Sequence, residues 1–423
     1  MLLFDRPESG ERAVLVHITL HDGQEDLNEL KELASSAGAE VVHVLTGSRR
    51  HPDPRYFIGS GKLEELKAII EETEADLVLF NHVLTPSQER NLEAELEFRV
   101  VDRNGLILDI FALRAKTYDG KLQVELAQLN HLSSRLTGGW SHLDRQKGGI
   151  GMRGTGETQL ESDRRLVSQR IKLVESRLEK VVKQRHQGRV RRKRSDTPGV
   201  SLVGYTNAGK STLFNRLTGS DIYVANQLFA TLDPTMRRCR LANNSEVVLA
   251  DTVGFIRHLP HELVAAFKST LQEATDADLL LHVIDASDEY RNETIYEVNR
   301  VLKDIGADKS PQLEVFNKID LLDDFAPRID RNDQGRPIRV WLSAQTGAGM
   351  DLLLQALEEI FSATRVRRLC HLLSSQGGVR SQLFSVANIL QEDCTDEGGW
   401  DLLVEIDQQY LGILREVEIE EIV

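Results

Sequence analysis

Eight consecutive residues constrain this chain more than any other stretch. Gly204-Tyr205-Thr206-Asn207-Ala208-Gly209-Lys210-Ser211 directly follows the apolar run Val200-Ser201-Leu202-Val203, and Thr212-Leu213-Phe214-Asn215-Arg216-Leu217 opens a helix after it. Glycines at both ends let backbone N–H groups wrap a polyphosphate at a helix N-terminus. Lys210 can then reach the β- and γ-phosphates, and the Ser211 hydroxyl can ligate Mg²⁺. Such a loop needs a buried parallel strand behind it, which predicts an α/β unit around residues 198–365.

Three downstream segments fit the same pocket. Val247-Val248-Leu249-Ala250-Asp251 reads as a strand ending in an acid, followed by Thr252-Val253-Gly254. The Asp251 carboxylate can hold a water of the Mg²⁺ shell. The Gly254 N–H can bond a γ-phosphate and lose that bond on hydrolysis, which makes a switch. Asn317-Lys318-Ile319-Asp320 follows the strand Leu313–Phe316. Guanine offers two adjacent donors to a carboxylate and adenine does not, so Asp320 selects for guanine. Ser343-Ala344-Gln345 follows the strand Ile338–Leu342, and its backbone can meet the guanine O6.

The flanks have different characters. Over residues 1–117 strand signals (Ala13–Ile18, Val41–Leu45, Leu77–Phe80, Phe98–Val101) alternate with helical ones (Glu25–Gly38, Lys62–Ala75, Pro86–Glu97). That order predicts a small parallel sheet covered by helices. Leu122, Leu126, Leu129 and Leu136 keep helical spacing. After a glycine-rich stretch, Val167, Ile171, Val174, Leu178 and Val181 do so over a helix from about Thr158 to Gln187. Residues 118–197 therefore read as an antiparallel helical hairpin with a glycine loop, ending in a basic linker, Arg189–Thr197. Residues 366–423 read as a small acidic α+β domain, with Leu383–Leu390 and Leu402–Ile406 as strands. From Gln391 to Val423 there are 11 acids and one base, read as a solvated face.

Charge is distributed unevenly. The net charge is −14, yet Arg145–Arg194 holds 16 Lys or Arg against 5 Asp or Glu, leaving −25 on the rest. A basic helical arm on an acidic protein suits contact with nucleic-acid phosphates. Cys239, Cys370 and Cys394 lie far apart with no CxxC pair, which argues for a reducing compartment and against a zinc knuckle or redox centre. No apolar run approaches the roughly 20 residues of a membrane span, and an early proline and acids argue against a secretory signal.

Taken together, the four pocket motifs resemble the translation-factor class of P-loop GTPases. The longer strings narrow this: residues 204–212, Phe229-Ala230-Thr231-Leu232-Asp233-Pro234-Thr235, Asp251–Arg257, and Gly148-Gly149-Ile150-Gly151-Met152-Arg153-Gly154-Thr155-Gly156-Glu157-Thr158-Gln159-Leu160-Glu161. They are similar to the HflX family of bacterial ribosome-associated GTPases, up to about residue 365. The resemblance implies a cytoplasmic, monomeric GTPase that takes GTP/GDP and Mg²⁺. It implies binding to the large ribosomal subunit, through rRNA and ribosomal proteins, and splitting of stalled or idle ribosomes, notably under heat stress. It makes Thr231 the second protein ligand of Mg²⁺ beside Ser211, where chemistry by itself leaves Thr235 an equal candidate. It assigns ribosome binding to the N-terminal unit and the hairpin.

One position limits catalysis. Many regulatory GTPases place a glutamine after DxxG to orient the attacking water; here that residue is Phe255. Intrinsic hydrolysis is therefore expected to be slow, with the missing group supplied from outside, and no residue is named as the catalytic base. His258 and His261 lie near this segment as bystanders. Two other functions compete: a regulatory switch whose GTP form recruits a protein effector, and an ATP-driven RNA remodeller. Asp320 argues against the latter. Gly59-Ser60-Gly61-Lys62 lacks the full phosphate-loop pattern, and a weaker ATPase activity is left open.

Overall fold

Val200, Leu202 and Val203 are each at most 1% exposed, so the strand ahead of the phosphate loop is buried on both faces, as a central parallel strand must be. In the computed structural model this strand, β5 (Gly199–Gly204), sits inside a seven-stranded sheet. The structure describes residues 10–21, 26–138, 155–193, 197–219, 228–229, 231–232, 235–241, 246–257, 268–362, 365–395 and 398–421.

The chain begins with β1 (Arg12–Leu20), α1 (Leu27–Ala37), β2 (Glu40–Arg49), α2 (Ser60–Thr73), β3 (Leu77–Phe80), α3 (Pro86–Leu96), β4 (Val100–Val101) and α4 (Arg103–Arg114). Its four strands form a parallel sheet in the order β2-β1-β3-β4. Local chemistry sets the helix ends. Asp26 caps α1 by accepting from Asn28 N, and Gly38 stops it in the left-handed region. The expected strands and helices all appear within a few residues, and α4 is an addition.

Helices α5 (Tyr118–Gly138) and α6 (Thr155–Lys193) follow. Leu122 and Leu129 pack on Val167 and Val174 along the expected stripe, each burial contributing about 1.5–3 kcal/mol. An Arg170–Glu125 ion pair at 2.6 Å flanks the seam. The expected linker is corrected here: the basic run stays helical through Lys193. Lys and Arg are good helix formers, and no proline interrupts them before Pro198. Most of the glycine string, residues 139–154, lies outside the described residues.

Beyond β5 come α7 (Lys210–Thr218), β6 (Thr235–Arg240), β7 (Glu246–Asp251), α8 (Lys268–Thr275), β8 (Leu279–Asp285), α9 (Arg291–Asp304), β9 (Gln312–Asn317), β10 (Arg328–Arg331), β11 (Pro337–Trp341) and α10 (Met350–Ser362). The sheet order is β10-β11-β9-β8-β5-β7-β6, with the outermost strand on each side antiparallel. One apolar cluster joins this unit to the first: Leu30, Leu33, Ile107 and Phe111 share it with Leu228, Phe229, Leu232, Phe255 and Ile256.

The remainder forms an antiparallel sheet, ordered β13-β14-β12-β15, from β12 (Arg365–Leu372), β13 (Ala387–Cys394), β14 (Trp400–Asp407) and β15 (Glu418–Glu421). The expected strand Leu383–Leu390 is half wrong. Residues up to Val386 belong to the helix α11 (Gly377–Val386), which inserts Leu383 into the core while Phe384 stays outside. A short apolar run fits either period until packing decides it. Among the described residues, no helix is long and apolar enough to cross a membrane.

Candidate nucleotide site

The turn from β5 into α7 carries Tyr205–Gly209 over the sheet edge. Asn207 and Gly209 take left-handed φ values of 61° and 91°. A Cβ on Gly209 would stand 2.2 Å from Asn317 Nδ2, so only glycine fits there. Lys210 is buried, and its ammonium donates to Gly204 O (3.1 Å) and Tyr205 O (2.7 Å), along the inner rim of the loop. Burial pushes its pKa down to about 8, against the attraction of Asp251.

A cluster of oxygens closes next to it. Ser211 Oγ lies 2.8 Å and Thr231 Oγ1 2.9 Å from Asp251 Oδ2, and the two hydroxyls are 2.9 Å apart. The second Asp251 oxygen is buried with no hydrogen-bond partner, and burial pushes the carboxyl pKa up. Two hydroxyls and a carboxylate form a hard, all-oxygen set suited to Mg²⁺ rather than to a softer metal. No group of three His, Cys, Asp or Glu able to hold a metal occurs among the described residues. Thr235, the other candidate, opens β6 opposite Asp251. Ala230 and Asp233 lie outside the described residues, as do His258 and His261.

Gly254 faces the loop so closely that a Cβ would meet Thr206 Cγ2 at 2.7 Å and Lys210 Nζ at 3.0 Å. Other residues of these motifs build the frame. Thr252 donates to Leu202 O at 2.5 Å, and Val253, Leu232 and Phe229 are core residues. Phe255 is 1% exposed and pairs through its backbone with Tyr205 and Gly204, so its ring packs in the core.

Asn317 ties the base side to the phosphate side. It donates to Ala208 O (2.9 Å) and accepts from Ala344 N (2.8 Å), joining the phosphate loop to Ser343-Ala344-Gln345. Lys318, at φ 65°, pairs with Asp285 at 2.7 Å, while Ile319 anchors the turn in a small apolar cluster and leaves the Asp320 side chain exposed. Ser343 is fully buried and accepts from Thr346 N, and Gln345 O accepts from Arg216 at the end of α7. Ala208 is buried, and Thr212 lies half-buried in the first turn of α7.

What packs over the segments around Thr231 and Gly254 has no local signal in the sequence. The Tyr205 hydroxyl donates to Glu29 of α1 and accepts from Arg257 N at 2.9 Å. Burial and the Glu29 charge push the phenol pKa far up. Glu29, Ser36, Arg103 and Phe111 belong to this site's surroundings, and no local pattern marks them.

Comparison with known proteins fits this geometry. Residues 24–112 match the family model for a GTP-binding GTPase N-terminal region, 114–192 the GTP-binding GTPase middle region, and 199–318 the 50S ribosome-binding GTPase. The GTPase HflX of Escherichia coli is 58% identical over 404 residues, 95% of each chain. The chain belongs to the HflX family of GTPases. Another HflX, from Caldanaerobacter subterraneus, is 52% identical over 358 residues, covering 84% of this chain and 82% of that one. Membership makes the chain a GTP hydrolase that uses GTP/GDP with Mg²⁺, and the hard oxygen set at Ser211, Thr231 and Asp251 fits that ion.

Proposed function

We propose that this GTPase acts in the cytoplasm as a monomer that binds the large ribosomal subunit in its GTP form and splits stalled or idle ribosomes, notably under heat stress. The observation that carries this is a long helix, α6, whose C-terminal run of Lys and Arg directly precedes, in the sequence, a GTPase unit of ribosome-binding type. The excess of Lys and Arg over Arg145–Arg194 supplies the phosphate contacts that rRNA requires. The division of labour follows the four segments 1–117, 118–197, 198–365 and 366–423, with the first two carrying subunit binding.

In this proposal the backbone of 204–212 cradles the phosphates, Lys210 neutralises the β- and γ-phosphates, and Ser211 and Thr231 hold Mg²⁺. Asp251 accepts from the metal's shell. Gly254 senses the γ-phosphate; its closeness to Lys210 supports that role. Asn317, Lys318 and Asp320 with Ser343-Ala344-Gln345 read guanine; the Asn317 bridge between the two loops supports it. Burial of Phe255 supports slow intrinsic hydrolysis, since no side chain at that position reaches the attacking water. The bound metal supplies charge neutralisation at the phosphates when present.

The test is co-sedimentation with large ribosomal subunits. Pelleting with a non-hydrolysable GTP analogue and release with GDP is the expected result. Equal behaviour with both nucleotides, or no pelleting at all, contradicts the proposal.

A further inference from the structure

Both switch segments of the GTPase unit are built into the N-terminal unit. In the first, Leu228 N donates to Ser36 Oγ of α1 at 2.9 Å. Phe229, held at φ 56°, packs edge-to-face on Phe111 of α4 with ring centroids 4.5 Å apart. Two residues later stands Thr231, whose hydroxyl sits in the metal-binding oxygen cluster. In the second, both backbone groups of Arg257 are held. Its N–H reaches the Tyr205 hydroxyl, and its C=O accepts from Arg103 Nη2 at 3.2 Å. Arg103 is fixed in turn by Glu29 Oε2 (2.6 Å) and Asn81 Oδ1 (2.9 Å), and Glu29 Oε1 takes the Tyr205 hydrogen. Arg103 and Glu29 are 2% and 8% exposed, so breaking their contact strands a buried charge.

We infer that Glu29, Ser36, Arg103 and Phe111 are positioning residues that hold both switches in the triphosphate-ready arrangement, making the N-terminal unit an internal effector that favours GTP over GDP. The inference rests on the proposed roles of Thr231 and Gly254. A GTP molecule gains from a Thr231 hydroxyl already at the metal site and from a Gly254 amide held close to Lys210. A GDP molecule has no γ-phosphate to meet the Gly254 amide or to complete the metal site under Thr231, so the docking energy favours the triphosphate. Linkage makes the effect reciprocal: GTP must also tighten the docking of α1 and α4 on the switches.

The experiment uses the full chain and the variants Glu29→Gln, Ser36→Ala and Phe111→Leu, all of which lie outside the nucleotide-binding motifs. Dissociation constants are measured for a non-hydrolysable GTP analogue and for GDP, on variants whose thermal unfolding remains cooperative. Affinity for the analogue is expected to fall about five-fold or more, in the usual range of coupling between sites, with GDP affinity unchanged. Amide exchange in α1 of the parent should be slower with the analogue than with GDP. Equal losses for the two nucleotides, no loss, or identical exchange overturn the inference. Ser36→Ala removes a single hydroxyl and keeps the test usable if Glu29→Gln fails to fold. Thr231→Ala separates the two levels. If it weakens analogue binding while the N-terminal variants do not, the coupling fails and the site assignment stands. If Thr231→Ala also has no effect, the site assignment itself fails.

Discussion

Replacing Asn317 by alanine should damage stability and nucleotide binding together, because one amide joins two halves of the pocket. The side chain is 3% exposed, donates to Ala208 O at 2.9 Å and accepts from Ala344 N at 2.8 Å. Truncation leaves a buried carbonyl and a buried N–H unpaired. Each costs about 1–3 kcal/mol, so the variant should lose about 2–6 kcal/mol. Gly209 offers an internal control. A methyl there would stand 2.2 Å from the Asn317 amide nitrogen, so Gly209→Ala should destabilise strongly by itself. With Asn317 already truncated that collision is gone, and only the strain of φ 91° remains. The two substitutions should therefore cost less together than the sum of their separate effects. Urea unfolding of the parent, both single variants and the double variant measures this cycle, with labelled GDP reporting the pocket. Strict additivity, or a loss below about 0.5 kcal/mol for Asn317→Ala, within the range of an ordinary surface substitution, would refute the reasoning.

Asp320→Asn should weaken GTP binding and favour xanthosine triphosphate, whose 2-oxo group accepts where guanine donates; competition binding reads this, and unchanged GTP affinity would remove Asp320 from the base pocket. Reversing charge at Arg189, Arg191, Arg192 and Arg194 should weaken subunit binding and flatten its salt dependence while leaving nucleotide affinity intact; sedimentation like the parent at every salt concentration would leave the basic run without a binding role. His282 should make stability fall with acid. Burial, then the nearby Lys210 charge, holds its pKa down to about 4 against an ordinary 6.5. The unfolded chain therefore takes up a proton between those values that the folded one refuses, a loss of up to about 3 kcal/mol as pH drops through that window. His282→Leu should flatten this slope in urea titrations, leaving the part due to His131, which burial shifts the same way; an unchanged slope would place the titration elsewhere.

The grouping of the motif residues at the candidate nucleotide site was legible in the sequence because the motifs are local. Each motif is a short string at a strand end, and parallel topology brings those ends to one sheet edge. Thr231 and Thr235 could not be told apart by chemistry, because either hydroxyl suits the ion; folding places the Thr231 hydroxyl in the oxygen cluster. The joint between the units was not legible at all. Glu29 and Tyr205 meet across 176 positions, and Leu228 and Ser36 across 192, with nothing periodic to join them. No local pattern marks Arg103, yet it is buried by contacts from both units. The two misread elements, the basic run before Lys193 and Leu383–Val386, failed where local composition allows more than one state.

GTP turnover by the purified chain, with and without large ribosomal subunits, tests the central claim most directly. The ring of Phe255 lies in the core and leaves the attacking water without a partner at that position. Turnover should be slow for the free protein and should rise on addition of subunits, with Ser211→Ala suppressing both rates. Fast turnover by the free protein, unaffected by subunits, would contradict the account.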